Sequence, residues 1–202
     1  PGSGGRQLPQ HYGQKDLNIV SQSSPTGTQY LQAVGTAMAV RQTNKKSLVY
    51  VSSGEGTTSQ GEFHEALNWA GREKLPVLFH IEDNGFAISV PKSSQTAEGS
   101  VYDMVGGYGN LNRFETDGTD FFESYNTFKE AISSIRAGKG PAIVVSNVVR
   151  LLPHSSSDDH RKYRDADELS EEQKRDPIEK FRAQCGQDGI ISSEEFQKVW
   201  DE

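Results

Sequence analysis

Apolar residues along this chain recur in two rhythms. Short apolar runs predict strands over residues 48–52, 77–82, 112–115 and 142–148. Between them the period lengthens. Tyr30, Leu31, Val34, Ala37, Met38 and Arg41 stand at helical spacing and predict a helix over 28–42. Small residues Ala33, Gly35, Ala37 and Ala39 in that helix allow close approach to a neighbour. Further helices are predicted over 62–72, 100–108 and 121–137. Strands separated by helices imply a parallel sheet covered on both faces, a doubly wound α/β fold. The 142–148 run is apolar at nearly every position, as a strand buried on both faces is.

The flanks differ from this centre. Residues 1–24 are rich in Gly, Gln and Ser with little apolar periodicity, and read as an extended leading loop. Residues 151–174 are polar and charged and read as a long loop, of the kind that carries function. Asp176-Pro177 opens a helix, with Asp as cap and Pro at the first helical position. A Gly-Gln-Asp-Gly turn ends it, and Ser192 or Ser193 caps a last helix with Glu195 available for a capping box.

The most informative stretch is where two strands end. The first runs into Gly54-Glu55-Gly56 and the second into Asp83-Asn84-Gly85. In a parallel sheet such turns lie side by side at the carboxyl edge, where ligands bind. Glu55 offers a carboxylate and Asn84 a neutral carbonyl. A hard cation such as Mg²⁺ takes oxygen ligands and commonly keeps phosphate oxygens in its shell. Backbone N–H groups of the Gly56-Thr57-Thr58 turn, opening the next helix, suit a phosphate. The pair reads as a metal–diphosphate site.

Composition narrows the field. The chain has 202 residues, enough for one domain with a real core. The net charge of −7 argues against a nucleic-acid surface. No run is long and apolar enough to span a membrane. No charged-then-apolar leader precedes the fold, so a secretory signal is not expected. Cys185 is the single cysteine, which rules out an internal disulfide and fits a reducing compartment. The start PGSGGRQ, without an initiator Met, suggests a piece of a longer polypeptide. Other motifs fail: GEGTTSQG lacks the Lys of a P-loop, His64-Glu65 lacks the second His of a zincin, and no Gly-x-Ser-x-Gly elbow occurs.

Gly-Glu-Gly, a spacer, and a pair ending in Asn resemble the thiamine diphosphate motif. Five ordered segments narrow the resemblance to the alpha subunit of the decarboxylating component of 2-oxo acid dehydrogenase complexes. Besides the motif these are GGRQLPQHYG (4–13), SSPTGTQYLQAVGTAMA (23–39), ETDGTDFFESYNTFKEA (115–131) and HSSSDDHRKYR (154–164). Details of the turns favour the branched-chain, 2-oxoisovalerate type. Residues 25–150 are then the thiamine diphosphate-binding domain, 151–175 an active-site or regulatory loop, and 176–202 C-terminal helices.

The resemblance implies oxidative decarboxylation of a 2-oxo acid, with the acyl group passed to a lipoyl arm. It implies Mg²⁺ held by Glu55, Asn84 and the Phe86 carbonyl. Ser24, Thr26, Gly54, Gly56, Thr57 and Arg150 would contact the cofactor, and His154 would handle protons. Thr26 stands where relatives often carry Leu, and Asp83 where they carry Asn, which adds negative charge near the site. Positions matching Ser23, Pro25, Thr28 and Gln29 hold a monovalent cation (K⁺) in some relatives. Ser155 matches a position that kinases modify in some mitochondrial relatives.

The implied partners are a beta subunit or beta region, in a heterotetramer, and a lipoyl-bearing acyltransferase component. The beta part supplies the glutamate that activates the aminopyrimidine, so the chain alone is expected to be an inactive half-site. The implied location is the bacterial cytoplasm or the mitochondrial matrix. Alternatives within the family are pyruvate and acetoin dehydrogenase alpha subunits. Outside catalysis, the alternative is a cofactor-binding module kept for subunit contact.

Overall fold

The computed structural model describes residues 11, 13–21, 23–43 and 46–202. Most of the GGRQ segment and half of the predicted leading loop lie outside the described residues. Six strands occur among the described residues: β1 Val49–Gly54, β2 Val77–Asp83, β3 Phe86–Ala87, β4 Val90–Pro91, β5 Asn112–Asp117 and β6 Ala142–Asn147. Seven α-helices accompany them: α1 Thr28–Thr43, α2 Gly61–Glu73, α3 Val101–Met104, α4 Phe121–Arg136, α5 Ala166–Gln173, α6 Pro177–Gln187 and α7 Ser193–Asp201.

Four strands form one parallel sheet in the order β1-β2-β6-β5. Alternation along the central strands explains why both faces are covered. On one face Val77, Phe79 and Ile81 of β2 and Ile143 and Val145 of β6 pack under α1 and α2, against Tyr30, Val34, Phe63 and Leu67. On the other, Leu78, Ala142 and Val144 pack against Ala131 and Ile135 of α4. Side chains such as Phe63 and Phe79, fully buried here, each contribute about 1.5–3 kcal/mol. The doubly wound fold expected from the pattern is the one observed.

Capping also follows the sequence. Asp176 accepts from Ile178 N with Pro177 opening α6, and Ser192 forms a capping box with Glu195 at α7. Two expectations are corrected. The polar 151–174 stretch is not all loop: Asp165 leads into α5, and a 3₁₀ turn spans His160–Lys162. That helix is held by ion pairs to Arg164 rather than by an apolar stripe, so periodicity gave no sign of it. The helix predicted over 100–108 is a single α-turn followed by a 3₁₀ turn, Val105–Gly107, because Gly106 and Gly107 weaken its second half. The helix predicted over 62–72 is observed as α2, and the Gly56-Thr57-Thr58 turn before it is part of a 3₁₀ segment, Glu55–Ser59.

Candidate functional site

Parallel register brings the strand ends together. Gly54 is level with Glu82, and Asp83 is level with Asn147 of β6. Glu55, Asn84 and Val148 therefore leave the sheet along one carboxyl edge. Val148 N donates to Asp83 O at 2.8 Å and closes that edge.

Glu55 is fully buried. Its Oε2 accepts from Asn84 N at 3.2 Å, while Oε1 is buried without a hydrogen-bond partner. Burial raises its pKa, and the Asn84 N–H partly offsets this. A carboxylate in that state lacks one ligand of positive charge, so the chemistry of the site fits a cation at Oε1. Among the described residues no group of three or more His, Cys, Asp or Glu is placed to hold a metal. Asn84 Oδ1 turns back to accept from Phe86 N at 3.1 Å, which draws Phe86 to the same corner. Between them Gly85 has φ +84°, a conformation that glycine adopts without strain.

The 3₁₀ segment carries Gly56 and Thr57. A β-carbon on Gly56 would stand 2.6 Å from Ala87 Cβ, so glycine is needed for this approach to β3. At Gly54 packing makes no such demand, since a β-carbon there would meet only Glu82 O at 3.8 Å. The turn holding Ser24 and Thr26 lies against this segment: a β-carbon on Gly27 would be 2.8 Å from Gln60 Cβ. Ser24 and Thr26 themselves are exposed. In the same turn Thr28 Oγ1 donates to Pro25 O at 3.0 Å and also meets Ser23 Oγ, while Gln29 Oε1 accepts from Gly27 N at 3.0 Å.

A second chain of contacts joins the 150–164 region to the Glu55–Asn84 corner. Arg150 Nη1 donates to Ile88 O at 2.8 Å and Nη2 to the Tyr163 hydroxyl at 2.8 Å; its Nε is buried and unpartnered. Its guanidinium lies 5.5 Å from the Phe86 ring centre. The Tyr163 hydroxyl donates to Asp158 Oδ2 at 2.7 Å, and the same oxygen accepts from His154 N at 2.9 Å. That hydroxyl is the main reason the Asp158 pKa is lowered. Arg164 is buried with ion pairs of 2.6 Å to both Glu168 and Glu172, and its guanidinium sits 4.7 Å from the Phe86 ring. The His154 imidazole is exposed and makes no hydrogen bond among the described residues.

Sequence reasoning missed Asp158, Tyr163 and Arg164, although all three lie in the quoted HSSSDDHRKYR segment. It also missed Lys92, whose Nζ is 2.6 Å from Asp83 Oδ2. No spacing rule links residues nine apart across the β3-β4 hairpin. The extra charge expected from Asp83 is therefore compensated.

The family described as "Dehydrogenase E1 component" matches residues 1–202. 2-Oxoisovalerate dehydrogenase subunit alpha of Bacillus subtilis (strain 168) is 43% identical, over 100% of this chain and 61% of that one. The mitochondrial 2-oxoisovalerate dehydrogenase subunit alpha of Mus musculus is 38% identical, over 99% of this chain and 45% of its own length. 3-Methyl-2-oxobutanoate dehydrogenase subunit alpha of Mycobacterium tuberculosis (strain ATCC 25618 / H37Rv) is 37% identical, over 88% and 48%. The chain thus spans 45–61% of the length of these relatives. A solved structure from Mycobacterium smegmatis, assigned as a thiamin diphosphate-dependent enzyme, aligns with a TM-score of 0.50 at 21% identity. It covers 65% of this chain and 24% of that one, and at that identity it speaks for the fold. No helix among the described residues is long and apolar enough to cross a membrane.

Proposed function

This chain belongs to the dehydrogenase E1 component family, and from that premise we propose that it forms the metal- and diphosphate-holding half of the active site of a thiamine diphosphate-dependent 2-oxo acid dehydrogenase. The reaction is oxidative decarboxylation of a branched-chain 2-oxo acid, with acyl transfer to a lipoyl group. The names of the relatives, 2-oxoisovalerate and 3-methyl-2-oxobutanoate dehydrogenase subunits alpha, support that substrate class. The observation that carries the site is the buried, unpartnered Oε1 of Glu55 beside Asn84.

Each residue has a definite task. Glu55 Oε1, Asn84 Oδ1 and the Phe86 carbonyl would hold Mg²⁺. Backbone N–H groups of Gly56 and Thr57, after Gly54, would donate to the diphosphate. Arg150, pinned between Ile88 and Tyr163, would add positive charge at its outer side. Ser24 and Thr26 would border the ring end of the cofactor. His154, exposed in the loop that follows Arg150, would serve as the acid–base group. Bound there, thiamine diphosphate supplies the carbon nucleophile and electron sink of the reaction. The oxygens of Ser23, Pro25, Thr28 and Gln29 would take K⁺. A beta subunit would complete the pocket, and a lipoyl-bearing acyltransferase would take the product.

The test uses the full-length alpha chain with its beta partner, thiamine diphosphate, Mg²⁺ and an artificial electron acceptor. Turnover of 3-methyl-2-oxobutanoate is expected to exceed that of pyruvate, and to require both chains. A preference for pyruvate, or equal turnover without the beta partner, would contradict this reading.

A further inference from the structure

Asp83 is a buried carboxylate at the foot of the turn that carries Asn84, and Lys92 grips that turn twice. Lys92 Nζ lies 2.6 Å from Asp83 Oδ2, with side-chain exposures of 25% and 3%. The Lys92 backbone N–H donates to Gly85 O at 2.7 Å. The other Asp83 oxygen, Oδ1, accepts from Gly85 N at 3.1 Å. Both peptide groups of Gly85 are thus tied, one to Asp83 and one to Lys92, and the ion pair joins the two ties. Next to this turn stands Glu55, whose Oε2 is bonded to Asn84 N. Lys92 Nζ is bonded to Asp83, whereas Glu55 Oε1 is buried without a hydrogen-bond partner. That contrast leaves Glu55 as the anionic donor and Asn84 as the neutral one.

We propose that Lys92 is a positioning residue of the cation site: through its ion pair with Asp83 it fixes the Asn84–Gly85 turn beside Glu55 and cancels the charge that Asp83 adds. The inference rests on the metal-site reading above. It goes beyond it, because Lys92 touches neither cation nor cofactor in that reading. Removing one partner of a buried pair leaves the other uncompensated, whereas removing both is often tolerated. Substitutions at Lys92 and Asp83 are therefore strongly coupled.

The experiment measures Mg²⁺-dependent thiamine diphosphate binding by calorimetry, in the full-length alpha chain with its beta partner, well below the unfolding temperature. Lys92→Met is expected to weaken binding about tenfold, and Asp83→Asn/Lys92→Met to return to within about threefold of the unaltered protein. Lys92→Arg retains binding. If Lys92→Met does not fold, Lys92→Gln, which can still hydrogen-bond Asp83, is expected to weaken binding at least about threefold and to be rescued by Asp83→Asn. Coupling that appears in the melting temperature but not in the binding constant would overturn the proposal, as would a lysine substitution that leaves binding unchanged. Absence of Mg²⁺-dependent binding in the unaltered protein would defeat the site reading itself, a different result from lost coupling.

Discussion

His80 Nε2 lies 2.9 Å from Ser146 Oγ, joining the central strands β2 and β6 on the face covered by α4. The other ring nitrogen, Nδ1, is 2.8 Å from the Tyr50 hydroxyl on β1, so one imidazole links three strands. Phe128 of α4 meets the same ring edge-on with centres 4.9 Å apart. Burial lowers its pKa from 6.5 to about 4. Glu82, 3.8 Å away, is the charged neighbour.

The linkage sign follows from that direction. Between pH 4 and 6.5 the unfolded chain binds a proton at this residue and the folded chain does not. Stability contributed by His80 is therefore full above about pH 6.5 and lost as pH falls toward about 4, by on the order of 3 kcal/mol at most. Urea midpoints measured across this range are expected to rise with pH, and the rise to shrink in His80→Gln. A slope unchanged by the substitution would show that the imidazole is not the group responsible.

Arg164 is expected to matter for the 150–164 region rather than for the core. Arg164→Met leaves Glu168 and Glu172 without their buried partner and takes from the Phe86 ring the nearer of two cations, Arg150 remaining. Because Glu168 and Glu172 keep access to water, the expected cost is about 1–3 kcal/mol, with faster protease cleavage between residues 150 and 165 than elsewhere. Uniform cleavage along the chain, or an unchanged melting temperature, would contradict the role given to Arg164.

Gly56→Ala tests the approach of the 3₁₀ segment Glu55–Ser59 to β3. The added carbon meets Ala87 Cβ at 2.6 Å, and both backbones must give way. A loss of about 1–3 kcal/mol is expected, together with weaker cofactor binding. The partner substitution Ala87→Gly in the same chain is expected to recover part of both.

The readable and unreadable parts of the fold separate on physical grounds. The sheet was legible because β2 and β6 alternate or fill with apolar residues, and Asp176-Pro177 and Ser192 with Glu195 are local capping signals. Glu55 and Asn84 were legible because strand ends with glycine-bearing turns are local too. Helix α5 was not, since Arg164, Glu168 and Glu172 stabilise it by charge on a polar background. Lys92 was not, since its partner Asp83 is reached only after the chain reverses through β3 and β4. What sequence patterns miss here is pairing across a reversal, where no period connects the two residues.

Glu55 is where the account stands or falls. It is the one buried carboxylate at this corner with an oxygen left unpartnered, so Glu55→Ala removes the anionic ligand from the proposed shell. Calorimetric titration of thiamine diphosphate into the full-length alpha chain with its beta partner, at fixed Mg²⁺, measures this directly. Binding in the unaltered protein is expected to depend on Mg²⁺ and to disappear in Glu55→Ala while the protein remains folded. Cofactor affinity that is unchanged by the substitution would place the metal, and with it the active site, somewhere other than the Glu55–Asn84 corner.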